Sequence, residues 1–183
     1  MKLNKEQIEF LNECTRGKWT LNEKTGLVDI EGVFSCSYKK LTDFKGVKFG
    51  VVTGGFTCSR NKLTSLEGAP QEVGWSFNCY KNELTSLEGA PQKVGKNFYC
   101  DHNKLTSLEG APQEVGGDFY CGNNMLTSLE GAPQKVGGNF YCEHNKLTSL
   151  VGAPLKVGGD FRCDHNSLTS LVGAPQKVEG SFY

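Results

Sequence analysis

Apolar positions along this chain recur on two superposed periods. The short period is two: in Val136-Gly137-Gly138-Asn139-Phe140-Tyr141-Cys142-Glu143-His144-Asn145, Phe140 and Cys142 alternate with polar or amphipathic neighbours. That alternation marks a brief, half-buried strand, with Phe140 and Cys142 facing inward and Asn139, Tyr141 and Glu143 outward. The long period is 21. Leu63, Leu84, Leu105, Leu126, Leu147 and Leu168 each open a Leu-Thr-Ser-Leu run that leads through Gly-Ala-Pro to a Val, then to a Phe. A fixed period near 20 predicts a solenoid, in which each coil buries its apolar face only by stacking on its neighbours. Gly-Ala-Pro and Gly-Gly are turn chemistry and leave no room for a helix of about ten residues. The expected fold class is therefore mainly β: 21-residue coils whose strands form one parallel sheet, with extended or short 3₁₀ structure on the far side.

Residues 1–40 follow a different pattern. Asn4 and Gln7 make a capping-box start, Leu3 and Ile8 fit a hydrophobic staple, and Ile8, Leu11 and Cys14, with Phe10 adjoining, predict an apolar helix face ending before Gly17. Trp19–Asn22 and Leu27–Ile30, joined through Lys24-Thr25-Gly26, predict a hairpin. The simplest organisation is an N-terminal cap over residues 1–40, covering the first coil of a solenoid over residues 41–183. A separate small functional domain is the alternative.

Composition narrows the partners. Twenty Lys+Arg balance twenty Asp+Glu, without the basic excess expected of a protein that binds a duplex or an anionic membrane. The N-terminus lacks the apolar stretch of a signal peptide, and no run approaches the ~20 residues of a membrane span. A cytoplasmic protein, with no nucleic-acid or membrane partner, is the expectation. Eight cysteines would suggest a disulfide framework if irregularly spaced. Here Cys58, Cys79, Cys100, Cys121, Cys142 and Cys163 take the same place in successive coils, ~4.8 Å apart, further than the ~3.5–4.5 Å a disulfide prefers between β-carbons. They are expected to be reduced, buried thiols.

Asn61, Asn82, Asn103, Asn124, Asn145 and Asn166 end the strands, where their amides can satisfy backbone groups freed by the inward bend. The string Phe-x-Cys-x-x-Asn-x-Leu-x-x-Leu resembles the core of leucine-rich repeats. Leu-Thr-Ser-Leu with a following Pro is most similar to the short bacterial class, although Phe and Cys replace strand leucines and one extra residue separates Val from Phe. With Leu-Glu-Gly-Ala-Pro-Gln and Val-Gly-Gly-Asn-Phe-Tyr-Cys, the chain also resembles repeat proteins common in phage and prophage genomes. The resemblance covers about residues 41–183. It implies a sheet face that recognises partners, and it is nearly silent on activity.

Informative positions are those the coil leaves free. Outward between Phe and Cys run Thr57, Asn78, Tyr99, Tyr120, Tyr141 and Arg162. Tyrosine and arginine are enriched at interface hot spots, although aromatics are also good strand formers. Tyr99, Tyr120, Tyr141 and Arg162 are the candidate partner-binding residues, together with Asp101, Glu143, Asp164, His144 and His165. Asp101-His102, Glu143-His144 and Asp164-His165 invite comparison with metal or acid–base sites, but adjacent side chains on a strand point different ways, so a solvated edge is expected. On the far side Glu72, Lys93, Glu114 and Lys135 alternate in sign, after which Lys156 and Lys177 break the pattern. There Val151 and Val172 replace Glu and Leu155 replaces Gln. Together with Phe182 and Tyr183 these predict a homotypic contact through the C-terminal coils, the alternative being drift among copied repeats.

No phosphate-binding glycine loop, metal motif or nucleophile elbow occurs, so no catalytic residue, metal or cofactor is assigned. The leading expectation is a non-catalytic protein-binding solenoid, a phage or prophage product acting in the host cytosol on a bacterial (defence) protein. A structural or self-assembling component of a phage particle is the alternative.

Overall fold

The structure, a computed structural model, describes residues 2–183. It is a parallel β-solenoid of about seven turns, about 21 residues apart, preceded by one helix. Helix α1 (Lys5–Cys14) begins in a capping box: Gln7 N donates to Asn4 Oδ1 at 2.9 Å, and Asn4 N donates to Gln7 Oε1 at 3.0 Å. Its buried residues are Phe10, Leu11 and Cys14. Ile8 remains 37% exposed, which corrects the apolar face expected from sequence. Phe10 anchors the helix by packing edge-on against Phe34, with centroids 5.5 Å apart. Two residues from Phe10, Ile8 is turned about 200° away from it.

The helix passes directly into strand β1 (Thr15–Leu21), which pairs antiparallel with β2 (Val28–Ser35) from Thr15↔Phe34 to Leu21↔Val28. At the turn, Asn22 Oδ1 accepts from the backbone N–H groups of Lys24 and Thr25. Strand β2 then does double duty. Its first half pairs in parallel with β3 (Phe49–Val52), through Val28↔Phe49 and Ile30↔Val52 across a bulge. Its last two residues pair with β4 (Phe56–Thr57), through Phe34↔Phe56 and Ser35↔Thr57. The second hairpin strand is thus also the first rung of the solenoid.

Two ladders continue from β2 within a single sheet. One runs through Phe77–Asn78, Phe98–Tyr99, Phe119–Tyr120, Phe140–Tyr141 and Phe161–Arg162. The other runs through Glu72–Val73, Lys93–Val94, Glu114–Val115, Lys135–Val136, Lys156–Val157 and Lys177–Val178. Of the two alternatives expected for the far side, extended or short 3₁₀ structure, this ladder is the extended one, and its pairing from coil to coil was not foreseen. Each of its rungs is a two-residue strand, too short for alternation to register, and its signal was the charged residue preceding each buried Val.

Between the ladders lies a narrow core of like-on-like columns. Phenylalanine rings stack from Phe34 through Phe56 to Phe182 with centroids 5.0–5.7 Å apart, and the columns of Val, Leu, Cys and Ala beside them are buried. All eight cysteines are free and buried. Most thiols of the ladder donate to the next coil's carbonyl, as from Cys79 to Tyr99 O at 3.2 Å and from Cys100 to Tyr120 O at 3.1 Å. The coil then turns at Gly68, Gly89, Gly110, Gly131, Gly152 and Gly173, all with φ of +85° to +90°, a region open to glycine at little cost.

Two polar ladders bind coil to coil. Asn103 is typical of the first: Oδ1 accepts from Leu84 N at 3.1 Å, and Nδ2 donates to Cys79 O and Cys100 O at 3.1 and 3.0 Å. One amide so satisfies three backbone groups across two coils. The second ladder lies just before each phenylalanine. Asn97 Oδ1 accepts from Asp118 N, Asp118 Oδ1 from Asn139 N, Asn139 Oδ1 from Asp160 N, and Asp160 Oδ1 from Ser181 N, at 2.7–3.0 Å. Asp and Asn alternate here, so no two carboxylates are neighbours in the column.

Candidate interaction surface

Phe-x-Cys alternation puts the residue between Phe and Cys on the outer face of the sheet. Because successive strands are in exact register, their side chains form a column at the strand spacing of ~4.8 Å. Tyr99, Tyr120 and Tyr141 stack face to face, with centroids 4.7 Å apart at both steps and interplanar angles of 14° and 19°. Free aromatic pairs prefer offset or edge-on arrangements; here the backbone repeat imposes the stack. Two of the hydroxyls are fixed as well: Asn97 Nδ2 donates to Tyr99 Oη at 2.8 Å, and Tyr120 Oη donates to Asp118 Oδ2 at 3.1 Å. Burial, then the Asp118 carboxylate, raise the Tyr120 phenol above its ordinary range. The stack turns ring edges and hydroxyls outward and keeps its π faces covered.

Arg162 continues the column. Its guanidinium lies over the ring of Tyr183 at 5.5 Å, and its Nε stands 3.3 Å from Asp164 Oδ1. Beyond the strand, each coil enters a left-handed residue: Arg60, Lys81, His102, Asn123, His144 and His165 all have φ near +54°. This changes the expected picture of the acid–histidine edge. The assumption that neighbouring side chains point apart holds for a strand, but the left-handed turn brings them together. His102 Nδ1 lies 3.0 Å from Asp101 Oδ2, and His165 Nε2 lies 3.5 Å from Asp164 Oδ2. Glu143 instead leans over Gly122, where a β-carbon would stand 2.7 Å from its Oε1. Burial raises the Asp101 carboxyl, with the hydrogen bond from His102 partly opposing.

The rings of His144 and His165 stack at 4.2 Å and 5°. In-plane nitrogen lone pairs of parallel rings point the same way and do not converge on one ion. Among the described residues no three His, Cys, Asp or Glu side chains gather as a metal centre needs, and no helix is long and apolar enough to cross a membrane.

The far face carries the charge pattern read from sequence. Lys93 pairs with Glu72 at 2.7 Å and Lys135 with Glu114 at 3.8 Å, whereas Lys135, Lys156 and Lys177 stand in register with one another. Beside these lysines Val151, Leu155 and Val172 are 40%, 46% and 65% exposed. Phe182 and Tyr183 continue the Phe ladder, as the strand motif predicts: Phe182 bridges to Phe161 and stacks on it, and the Arg162 guanidinium lies over the Tyr183 ring.

One grouping escaped the sequence reading. Arg60 sits between the rings of Tyr38 and Tyr80. Tyr38 precedes it by 22 residues and Tyr80 follows it by 20, so the three never share a column of the 21-residue alignment. No family model, curated protein or solved structure matches the chain.

Proposed function

We propose that this protein is a non-catalytic binding solenoid whose partner, a host bacterial protein, meets the stripe formed by Tyr99, Tyr120, Tyr141 and Arg162. The observation that carries this reading is the in-register tyrosine stack, with two hydroxyls already fixed. A rigid row of amphipathic rings loses little conformational entropy on binding and has the composition of interface hot spots. Asp101, Glu143, Asp164, His144 and His165, along the adjoining edge, set specificity by charge. A phage or prophage origin, with action in the host cytosol, is supported by the resemblance of the Leu-Thr-Ser-Leu-Glu-Gly-Ala-Pro repeat to proteins of such genomes.

The test is affinity capture from bacterial lysate with the wild-type chain and with Tyr120→Ala/Tyr141→Ala, the fold of each checked by circular dichroism. One stoichiometric host protein on the wild type, absent from the folded double variant, is the expected result. Equal capture by both overturns the assignment of the stripe. Recovery only of the chain itself or of virion proteins supports a structural component of a particle.

A further inference from the structure

A second stack runs along the turn edge, apart from the tyrosine ladder. Arg60 occupies the left-handed position before Asn61, with φ of 54°. Its guanidinium carbon lies 5.3 Å from the ring centroid of Tyr38 on one side and 5.1 Å from that of Tyr80 on the other. Tyr80 in turn meets His102 edge-on at 5.0 Å. Held between two rings, the exposed guanidinium still has N–H donors open to solvent.

Acids along this edge are otherwise engaged. Glu83 pairs with Lys104 at 3.1 Å, Asp101 with His102 at 3.0 Å, and Glu13 with Lys39 at 2.5 Å. Among the described residues no carboxylate pairs with Arg60, nor with its exposed neighbours Lys62 and Lys81. An arginine already held between two rings has less side-chain entropy to lose when its fork is engaged, and the fork matches the oxygen spacing of carboxylate and phosphate. The surrounding edge thus presents a preorganised planar cation with no anion of its own.

We infer that Arg60 is a binding site for an oxyanion, a carboxylate or phosphate group received at the guanidinium rim. Tyr38 and Tyr80 are its positioning residues, and Lys62 and Lys81 add positive potential. The site stands whether or not the tyrosine stripe binds a protein.

The ¹⁵N-labelled full chain tests it directly. Inorganic phosphate and, separately, succinate are titrated at constant ionic strength while the backbone amides of Ser59 and Asn61 and the Arg60 side-chain Nε–Hε group are followed. A saturable shift in the millimolar range is expected. Phosphate alone identifies a phosphate group as the ligand, succinate alone a carboxylate, and both the shared class. Arg60→Lys keeps the charge but loses the planar fork, and should weaken binding about tenfold as read on the backbone amides. Tyr38→Ala removes an exposed wall and leaves Arg60 in place; several-fold weaker binding is expected. Unsaturated responses to both anions, or equal saturation in Arg60→Lys, overturn the site. Unchanged affinity in Tyr38→Ala overturns the positioning role of the ring.

Discussion

Asp118 Oδ1 lies 2.2 Å from the point where a β-carbon on Gly138 would stand, and the same oxygen accepts a 2.7 Å hydrogen bond from Asn139 N. The bond and the glycine are therefore two sides of one constraint. Gly117 follows Asn97, Gly159 follows Asn139 and Gly180 follows Asp160 with the same 2.2–2.3 Å approach. Where the earlier coil has no carboxylate or amide oxygen there, the glycine is absent: Trp75 follows Gly55, and Lys96 follows Ser76, whose shorter side chain accepts from Asn97 N through Oγ at 3.2 Å. A side chain in one coil thus dictates the residue allowed twenty positions later.

Gly138→Ala should accordingly destabilise the chain by about 2 kcal/mol, the scale of an overpacked contact. Asp118→Ser in the same chain recreates the Ser76–Lys96 arrangement and should restore most of the loss. A double-mutant cycle from urea unfolding should give a coupling above about 1 kcal/mol. Simple additivity would show that the glycine serves some other end.

Asn103→Ala leaves Leu84 N without its acceptor, while Cys79 O and Cys100 O each lose one of two amide donors and keep Asn82 Nδ2 and Asn124 Nδ2. A buried orphan costs about 1–3 kcal/mol, so a loss of about 2 kcal/mol is expected. Asn103→Asp keeps the acceptor but exchanges both donor contacts for carboxylate–carbonyl repulsion, and should be no better. A stable Asn103→Asp protein at neutral pH would sink this account of the column.

The half-buried Asp101 carboxyl gives a pH signature. Its pKa is raised on folding, chiefly by burial, so between the unfolded and folded values the native state binds more protons and stability falls as pH rises. Asp101→Asn should then raise the melting temperature at pH 7, with the gain shrinking as pH falls through the raised folded value towards about 4, the ordinary carboxyl range, and absent below it. A larger gain in acid than at neutrality would reverse the assignment.

Cysteine labelling reports the core. Burial raises every ladder thiol, and Cys14 on the helix is pushed up to about 11. A thiol-specific reagent at pH 8 should react slowly with the native protein and with eight groups after denaturation. Rapid labelling of native Cys100 or Cys121 would mean that the coils open readily.

Period-21 spacing and Phe-x-Cys alternation made the solenoid, the inward columns and the tyrosine row legible, since each depends on a residue's place within its own coil. What escaped depends on relations between places. Asp101 and His102 meet because the backbone turns left-handed at His102, a conformation that a histidine does not advertise. Arg60 is sandwiched by residues at offsets of 22 and 20, one from a neighbouring column. Glu72–Val73 and its successors form rungs too short to alternate. Ile8 was misplaced because a short helix's orientation is set by its largest anchor, Phe10, and not by spacing alone.

Strand β2 pairs with both β3 and β4, so one segment starts both ladders. Thereafter each rung finds its partner about 21 residues away, and the loop to be closed is the same length for every coil. Loop-closure entropy rises with the logarithm of loop length; here it does not rise at all as the chain extends. Folding can therefore proceed outward from the helix and hairpin as the polypeptide emerges, each coil templated by the finished edge before it. Whole repeats can be gained or lost without making the next one harder to add.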